Sequence, residues 1–248
     1  MNSATTREEA VEGERKGHAR TSPLKAVIFD MDGVIADTEP LHSHAYLEVL
    51  KTLGIEVSEN QYRKAITEEG KTIAAWFLEL GGKPDKIDEL YRRKDQIYFP
   101  LLKEHGSPRP GLFRLLSELK ASHVACALAT SARRVNAEFI VDLFGLRDLF
   151  SVILALEDVT HVKPHPEVFL LALEHLSVQP NTTIVLEDAP KGVRAAVEAG
   201  IAVIAVPTSW TRHYRFDGAT LVVESIEDLT LSRLRGLLSP QGSPWLDD

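Results

Sequence analysis

The chain carries the stretch KAVIFDMDG at residues 25–33, where a short apolar run leads directly into two aspartates and a glycine. The run before Asp30 shows no alternation of polar and apolar residues. Strands that are buried on both faces, as in a parallel sheet covered by helices, have this composition. We therefore predict a buried strand that ends at Asp30 and is followed by a turn through Asp32 and Gly33.

Similar apolar runs recur along the chain, and helical patterns alternate with them. The further runs are residues 124–129, 152–156, 183–186 and 201–206. Apolar residues at spacings of three and four, typical of helices, occur at 111–120, 133–144, 166–176 and 192–199. This alternation of strand and helix predicts an α/β fold with a doubly wound parallel sheet.

One long interval, residues 39–106, contains no strand-like run, although a crossover between parallel strands needs only about a dozen residues. Helical patterns occur there instead, at 41–53, 71–80 and 86–102. We predict that residues 39–106 form an inserted α-helical domain, which we call the cap. Residues 23–38 and 107–248 would form the α/β core, and the polar, aperiodic residues 1–22 a disordered leader.

Charge and composition exclude several classes of protein. The 248 residues carry a formal net charge of -8, whereas a nucleic-acid surface needs a clustered excess of Lys and Arg. The longest apolar runs are too short to cross a bilayer. The single cysteine, Cys126, rules out an internal disulfide and fits a reducing compartment. We expect a cytoplasmic monomer with neither a nucleic-acid nor a membrane partner.

Polar side chains stand where the predicted strands end. They are Asp30 and Asp32 after the first run, Thr130 and Ser131 after the second, Lys163 in the loop after the third, and Glu187 and Asp188 after the fourth. Ligands of open α/β sheets bind beyond the carboxyl ends of the strands. We therefore expect these groups to meet at one edge of the sheet.

This set of groups suits phosphoryl transfer. A carboxylate such as Asp30 can act as the nucleophile and form an aspartyl-phosphate intermediate. Mg²⁺ prefers oxygen ligands, for which Asp30 and Asp188 are suited, with Glu187 binding directly or through a neighbouring group. Lys163 would offset the repulsion between the clustered carboxylates and an anionic substrate. Thr130 and nearby backbone N–H groups could hold the transferring phosphate.

Asp32 is placed to act as the general acid on the leaving oxygen and then as the base on an attacking water or hydroxyl. Each of these motifs alone is weak, since Asp-x-Asp-Gly is usually a turn and Thr-Ser after a strand is usually a helix cap. Their occurrence in order, at successive strand ends, is what favours a catalytic site.

Four segments together resemble the motifs of the haloacid dehalogenase-like superfamily. They are DMDGVIADTEPLH at residues 30–42, the pair Thr130-Ser131, KPHPE at residues 163–167 and LEDAPKGVRAAVEAG at residues 186–200. The helical insertion resembles the cap of the β-phosphoglucomutase-like subgroup. The resemblance implies that Asp30 is the nucleophile, Asp32 the acid/base and Asp188 a Mg²⁺ ligand. It adds the backbone carbonyl of Asp32 as a further metal ligand and Ser131 as a contact of the substrate.

The resemblance also bears on the type of reaction and on the substrate. The presence of Asp32 favours a phosphatase or mutase over dehalogenases and phosphonatases, which lack an aspartate there. Gly70-Lys71 in the cap and Thr211-Arg212-His213 after the last predicted strand are similar to the Rubisco-associated xylulose-1,5-bisphosphate phosphatases. They favour a small sugar phosphate as the substrate, with Lys71 and Arg212 binding a second phosphate. The alternative for Lys71 is an exposed lysine at the start of a helix, and the alternative for Arg212 is a residue in a solvated loop.

A phosphomutase remains the second hypothesis. His42, after the first motif, and Lys94 in the cap match substrate-binding residues of β-phosphoglucomutases. The segment near Gly70 lacks the arginine with which those mutases hold the phosphate that is not transferred, and Lys71 is the nearest substitute.

Other sites are less consistent with the sequence. A calcium-binding EF-hand at Asp30 would need side-chain oxygens at Val34 and Leu41, which have none. His161 and His165 flank Pro164, which excludes the helical spacing of a metal pair, so we expect no metal site there.

Overall fold

The computed structural model describes residues 24–238, and the predicted leader lies outside this range. Its strands form one parallel sheet of six in the order β3-β2-β1-β4-β5-β6. The strands are β1 (Ala26–Phe29), β2 (Ala125–Ala129), β3 (Val152–Leu154), β4 (Thr183–Glu187), β5 (Ala202–Ala205) and β6 (Leu221–Val222). The chain moves outward from β1 first in one direction and then in the other, which confirms the predicted doubly wound α/β fold.

The α-helices follow the predicted alternation. They are α1 (Glu39–Thr52), α2 (Glu59–Tyr62), α3 (Ile73–Glu79), α4 (Ile87–His105), α5 (Leu112–Ala121), α6 (Arg134–Leu143), α7 (Glu167–Leu176), α8 (Pro190–Glu198) and α9 (Leu231–Leu237). Among the described residues, no helix is both long and apolar enough to span a membrane.

The sheet is buried on both faces because successive strand residues point to opposite sides. Val27 and Phe29 belong to one hydrophobic cluster, which includes side chains of α5, α6 and α9. Ile28 belongs to the other, which includes side chains of α7 and α8. Cys126 is a buried member of the first cluster and has a free thiol. The absence of polar residues in the strands is therefore explained by burial on two sides.

The interval between β1 and β2 holds α1 to α4 and a π-helical segment, Arg63–Glu68. Its apolar side chains form a third cluster, in which Tyr46, Trp76 and Phe77 are buried. Trp210, from the loop after β5, packs into the same cluster. A side chain of the core therefore contributes to the interior of the cap.

Four local features differ from the sequence prediction. The third strand ends at Leu154, and the remainder of the predicted run enters a 3₁₀ turn, Leu156–Asp158. The helix α2 with its π-helical continuation was not predicted, and neither were α9 and β6. β6 has only two residues, so it is too short to produce a recognisable apolar run.

Candidate active site

Strand register places the predicted site residues at one edge of the sheet. Phe29 is paired with Leu128 on one side and with Leu186 on the other. The next residues along these strands, at their carboxyl ends, include Asp30, Thr130 and Glu187. All three line one cavity, which is also lined by Asp32, Ser131, Lys163 and Asp188. The structure thus brings the residues of the four motifs together.

Lys163 connects the motifs. Its ammonium nitrogen donates hydrogen bonds to Asp30 Oδ1 at 2.5 Å, to Glu187 Oε1 at 2.7 Å and to the carbonyl of Ala129 at 3.0 Å. Although burial alone would lower the pKa of Lys163, the charges of Asp30 and Glu187 outweigh it and raise the pKa above its usual value. Lys163 therefore remains a cation inside the site.

The acidic groups outnumber this one cation. Oxygens of Asp30, Glu187 and Asp188 lie within 4.8 Å of one another, and all three residues are buried. Burial raises the pKa of Asp30 to about 8 despite the opposing charge of Lys163. Burial, with the charges of Glu187 and Asp30, also raises the pKa of Asp188 well above its usual value. Such an all-oxygen cluster with excess negative charge fits a hard divalent cation.

Both carboxylate oxygens of Glu187 accept hydrogen bonds. Oε1 accepts from Lys163, and Oε2 accepts from the backbone N–H groups of Asp188 at 2.9 Å and Ala189 at 3.0 Å. The carboxylate of Asp188 accepts fewer hydrogen bonds than that of Glu187, and its Oδ2 accepts from Thr211 Oγ1 at 3.3 Å. This arrangement favours Asp30 and Asp188 as direct metal ligands and Glu187 as the group that positions Lys163 and the turn.

The side chain of Asp32 is not part of the acidic cluster. Its Oδ1 accepts from Thr38 Oγ1 and lies 3.2 Å from His42 Nε2. Burial would raise the pKa of Asp32, but the neighbouring His42 and the hydrogen bond from Thr38 lower it below its usual value. Asp32 is thus an oriented carboxylate, and only its backbone carbonyl is left for the metal role that was predicted for it.

Thr130 and Ser131 present hydroxyl groups to the cavity. Thr130 Oγ1 accepts from the backbone N–H of Ala132 at 3.0 Å, which leaves the hydroxyl proton of Thr130 available. Ser131 Oγ is buried, and it has no hydrogen-bond partner among the described residues. Both hydroxyls can therefore donate to an oxyanion.

Two of the predicted substrate-binding residues lie at different places. Lys71 lines the cavity, but its ammonium group is 2.6 Å from Glu79 Oε2 and 3.2 Å from Glu69 Oε2. Arg212 is exposed, does not belong to the described cavity lining, and donates from Nε to Thr208 O at 3.5 Å. Lys71 is thus placed to contact an anion in the cavity, whereas Arg212 lies outside the described lining.

Lys94 is buried behind the cavity wall. Its ammonium nitrogen lies 3.7 Å from the ring centroid of Tyr98 and 3.4 Å from Asp95 Oδ1. Burial lowers the pKa of Lys94 to about 8, against the opposing charges of Asp95 and Asp32. This predicted substrate-binding residue is not part of the described cavity lining, and its charge contributes to lowering the pKa of Asp32.

Residues 27–206 match the family described as haloacid dehalogenase-like hydrolase. The chain belongs to this family. It is 34% identical over 216 residues to Protein CbbY of Cereibacter sphaeroides, covering 83% of this chain and 94% of that protein. It is 36% identical over 182 residues to a phosphorylated carbohydrates phosphatase of Thermotoga maritima, covering 72% of this chain and 82% of that protein.

A solved structure has the same fold. It is a mutant of CbbY from Rhodobacter sphaeroides in complex with xylulose-(1,5)bisphosphate. The TM-score is 0.76 at 33% identity, with 83% of this chain and 96% of that chain covered. The predictions of a haloacid dehalogenase-like fold and of a phosphatase of this hydrolase family are confirmed.

Two cavity residues of this hydrolase were missed by the sequence prediction. Glu39 starts α1 and lines the cavity, and burial together with the charge of Asp32 raises its pKa to about 7. Lys191, in the first turn of α8, also lines the cavity and donates to the carbonyl of Ile66 in the cap at 3.0 Å. Both stand inside motif segments, next to residues with clearer roles, and nothing in their spacing singled them out.

Proposed function

We propose that this enzyme is a Mg²⁺-dependent phosphatase that hydrolyses a small sugar phosphate through an aspartyl-phosphate on Asp30. The observation that carries the proposal is Lys163, whose ammonium group joins Asp30 to Glu187 beside Asp188. A nucleophilic carboxylate, a fixed cation and an oxygen-rich metal site are the requirements of phosphoryl transfer by a carboxylate.

The carboxylates of Asp30 and Asp188 would hold the metal ion together with the backbone carbonyl of Asp32. When bound, Mg²⁺ would neutralise charge on the cluster and on the phosphate oxygens. The raised pKa values of Asp30 and Asp188 show how unfavourable their joint ionisation is beside Glu187. A divalent cation would lower these pKa values and keep Asp30 ionised as the nucleophile.

Asp30 attacks phosphorus, and the ester oxygen of the substrate leaves. Lys163 holds one oxygen of Asp30, which leaves the other free to attack. The hydroxyls of Thr130 and Ser131 donate to the oxygens of the transferring phosphoryl group. These contacts orient the group for displacement in line with the leaving oxygen.

Asp32 transfers the protons. Thr38 and His42 fix its carboxylate, so that the same oxygens are presented in both half-reactions. An anionic substrate raises the pKa of a neighbouring carboxyl and so favours its protonated form, which protonates the leaving oxygen. The resulting carboxylate then takes a proton from the water that hydrolyses the aspartyl-phosphate.

The sugar part of the substrate would lie among residues of the cap. Glu39 can accept hydrogen bonds from sugar hydroxyls, and Lys71 and Lys191 offer positive charge in the same cavity. Lys71 would exchange its contacts with Glu79 and Glu69 for a second anionic group of the substrate. The sugar bisphosphate bound in the related CbbY structure has this charge pattern, and we propose a sugar bisphosphate or monophosphate for this enzyme.

The test is release of phosphate from p-nitrophenyl phosphate and from a panel of sugar phosphates. Activity should disappear in EDTA and return when Mg²⁺ is added. Asp30→Asn should lower kcat at least about 10³-fold, because an amide cannot act as the nucleophile. The control is Asp37→Asn, since Asp37 is an exposed carboxylate of the same loop outside the described cavity lining.

Near-normal turnover by Asp30→Asn would remove Asp30 from the proposed role. Following β-glucose 1-phosphate by phosphorus NMR separates the phosphatase from the phosphomutase hypothesis. Free phosphate is expected, and clean conversion to glucose 6-phosphate would contradict the proposal.

A further inference from the structure

A cluster of two imidazoles and one carboxylate lies on the surface of the loop that carries Lys163. It consists of His161, His165 and Glu167, each of which offers a ligand atom within 4.8 Å of the other two. The ring centroids of the histidines are 4.6 Å apart. As predicted, the pair has no helical spacing, but the loop itself turns the two rings toward each other.

Glu167 is held in place by the backbone of the loop. Its Oε1 accepts from the N–H of Thr160 at 2.7 Å, and its Oε2 accepts from the N–H of His161 at 2.9 Å. The hydrogen bond from Thr160, with further contributions from His161, lowers the pKa of Glu167 below its usual value. The carboxylate is therefore ionised and fixed before any ligand arrives.

The two imidazoles point to this carboxylate. His161 Nδ1 lies 2.9 Å from Glu167 Oε2, and His165 Nδ1 lies 3.8 Å from the same oxygen. The side chains of His161 and His165 are 63% and 49% exposed, so both rings are open to solvent, although His165 Nδ1 accepts from the backbone N–H of Glu167 at 3.3 Å. In a tetrahedral zinc site, ligand atoms lie about 3.3 Å apart for bonds of about 2.0 Å. Rotation of exposed rings between rotamers can bring the present separations to this value.

We propose that His161, His165 and Glu167 form a second metal site, which binds a divalent transition metal ion such as Zn²⁺. Imidazole nitrogens favour Zn²⁺, Co²⁺ or Ni²⁺, whereas Mg²⁺ prefers oxygen ligands. Three protein ligands leave a fourth position for water. The chemistry of the ligands thus separates this site from the acidic cluster of Asp30, Glu187 and Asp188.

A metal ion in this site would restrict the loop that carries Lys163. Lys163 is two residues from each histidine, and its ammonium group is bonded to Asp30 and Glu187 on the interior side. A metal ion bound to His161 and His165 would close the loop on its outer side. The loop would then be fixed on both sides of Lys163.

The test is a Zn²⁺ titration by calorimetry in a millimolar excess of Mg²⁺, which keeps the acidic cluster occupied. The wild type is compared with His161→Ala/His165→Ala. The matched control is His105→Ala, which removes an exposed histidine that also lies beside a glutamate, with Nε2 3.8 Å from Glu104 Oε1. We expect one Zn²⁺ per chain in the wild type and in the control, and binding weaker by about tenfold or more in the double variant.

Histidine NMR supplies a second measurement. The ring resonances of His161 and His165 should shift on addition of Zn²⁺, while those of His105 should not. Exposed alanine substitutions leave the core intact, so loss of binding would not reflect unfolding. Equal affinity in the double variant would overturn the proposal, and so would an equal loss of binding in the His105 variant.

Discussion

Lys94 is a fully buried lysine whose ammonium group has the ring of Tyr98 on one side and Asp95 on the other. Asp95 is itself paired with Arg133 at 3.0 Å, so it retains a cationic partner if Lys94 is replaced. Burial lowers the pKa of Lys94 to about 8 from its usual value near 10.5. The charged form of this residue is therefore less favourable in the folded protein than in the unfolded chain.

This shift predicts a pH-dependent effect of Lys94→Met on stability. Between the folded and the unfolded pKa, the unfolded chain binds more protons, so the wild type becomes more stable as the pH rises. The variant has no titrating group at position 94, so this contribution to its stability is absent. We expect the free energy of unfolding of the wild type, relative to the variant, to rise by about 2 kcal/mol from pH 7 to pH 9.5.

Urea unfolding at several pH values measures this difference. Lys103→Met is the control, because Lys103 is an exposed lysine of the same helix. Its difference from the wild type should not change over this range of pH. A constant difference for Lys94→Met as well would show that Lys94 carries no lowered pKa.

At the level of single residues, the sequence predicts the groups whose positions are fixed by strand ends. Asp30, Thr130 and Asp188 are the first residues after β1, β2 and β4. The register of these strands therefore brings the three residues together. Glu39 and Lys191 line the cavity from the first turns of α1 and α8, and no sequence pattern specifies how these helices pack. Their surroundings depend on the tertiary contacts between the cap and the core.

The first turn of α8 holds Glu187 in position. Gly192 lies in this turn, and a Cβ atom there would stand 1.7 Å from Glu187 Oε1, the oxygen that binds Lys163. The helix and the carboxylate therefore approach each other as closely as a glycine permits. The contact links an element of the core to the position of Lys163.

We expect Gly192→Ala to displace Glu187 and with it Lys163. Overpacking of this kind costs about 1–3 kcal/mol of stability. A shift of about 1 Å in a catalytic group can lower the rate about 10²-fold. Thermal unfolding and phosphatase kinetics measure the two effects.

Gly236→Ala is the control for the helix itself. Gly236 lies in α9, and nothing stands within 4 Å of the Cβ position there. Its substitution should stabilise the protein by about 0.5–1 kcal/mol, because alanine is the better helix former. If Gly192→Ala behaved like Gly236→Ala, the proposed displacement of Glu187 would be wrong.

At the level of elements, helices with a clear apolar face were predicted and those without one were missed. α5 and α8 bury residues at spacings of three and four. The short α2 passes directly into the π-helical segment Arg63–Glu68. A π-helical turn changes the spacing of buried residues, so a search for the period of 3.6 finds no pattern there.

At the scale of the whole molecule, the cap and the core meet at the segment of residues 63–70. The ring nitrogen of Trp210 donates to Thr67 Oγ1 at 3.1 Å, and the guanidinium of Arg63 lies 3.8 Å from the centroid of the same ring. Lys191 donates to Ile66 O in this segment. A Cβ atom on Gly70 would be 3.2 Å from the carbonyl of Lys163. The loop that carries Lys163 therefore lies against the cap.

Trp210→Leu should weaken this junction, because it removes the hydrogen bond to Thr67 and the cation–π contact with Arg63. Together these contribute about 2 kcal/mol. If residues 63–70 open independently of the sheet, their amides should exchange about thirtyfold faster with deuterium. The amides of β1 to β5 should keep their protection. Hydrogen exchange resolved by peptide measures both regions in one experiment.

Trp76→Leu distinguishes docking of the cap from its internal stability. Trp76 packs inside the cap, with its ring centroid 5.9 Å from that of Tyr62, so its loss should raise exchange throughout α1 to α4. Uniformly faster exchange over the cap in Trp210→Leu would instead show that the whole cap, and not residues 63–70 alone, depends on the contacts of Trp210. The expected confinement to residues 63–70 follows from the geometry, because the hydrogen bond and the cation–π contact of the Trp210 side chain both end in that segment. Loosening there would release the loop of Lys163 from the cap, so motion of the cap and the position of Lys163 would be coupled through one contact surface.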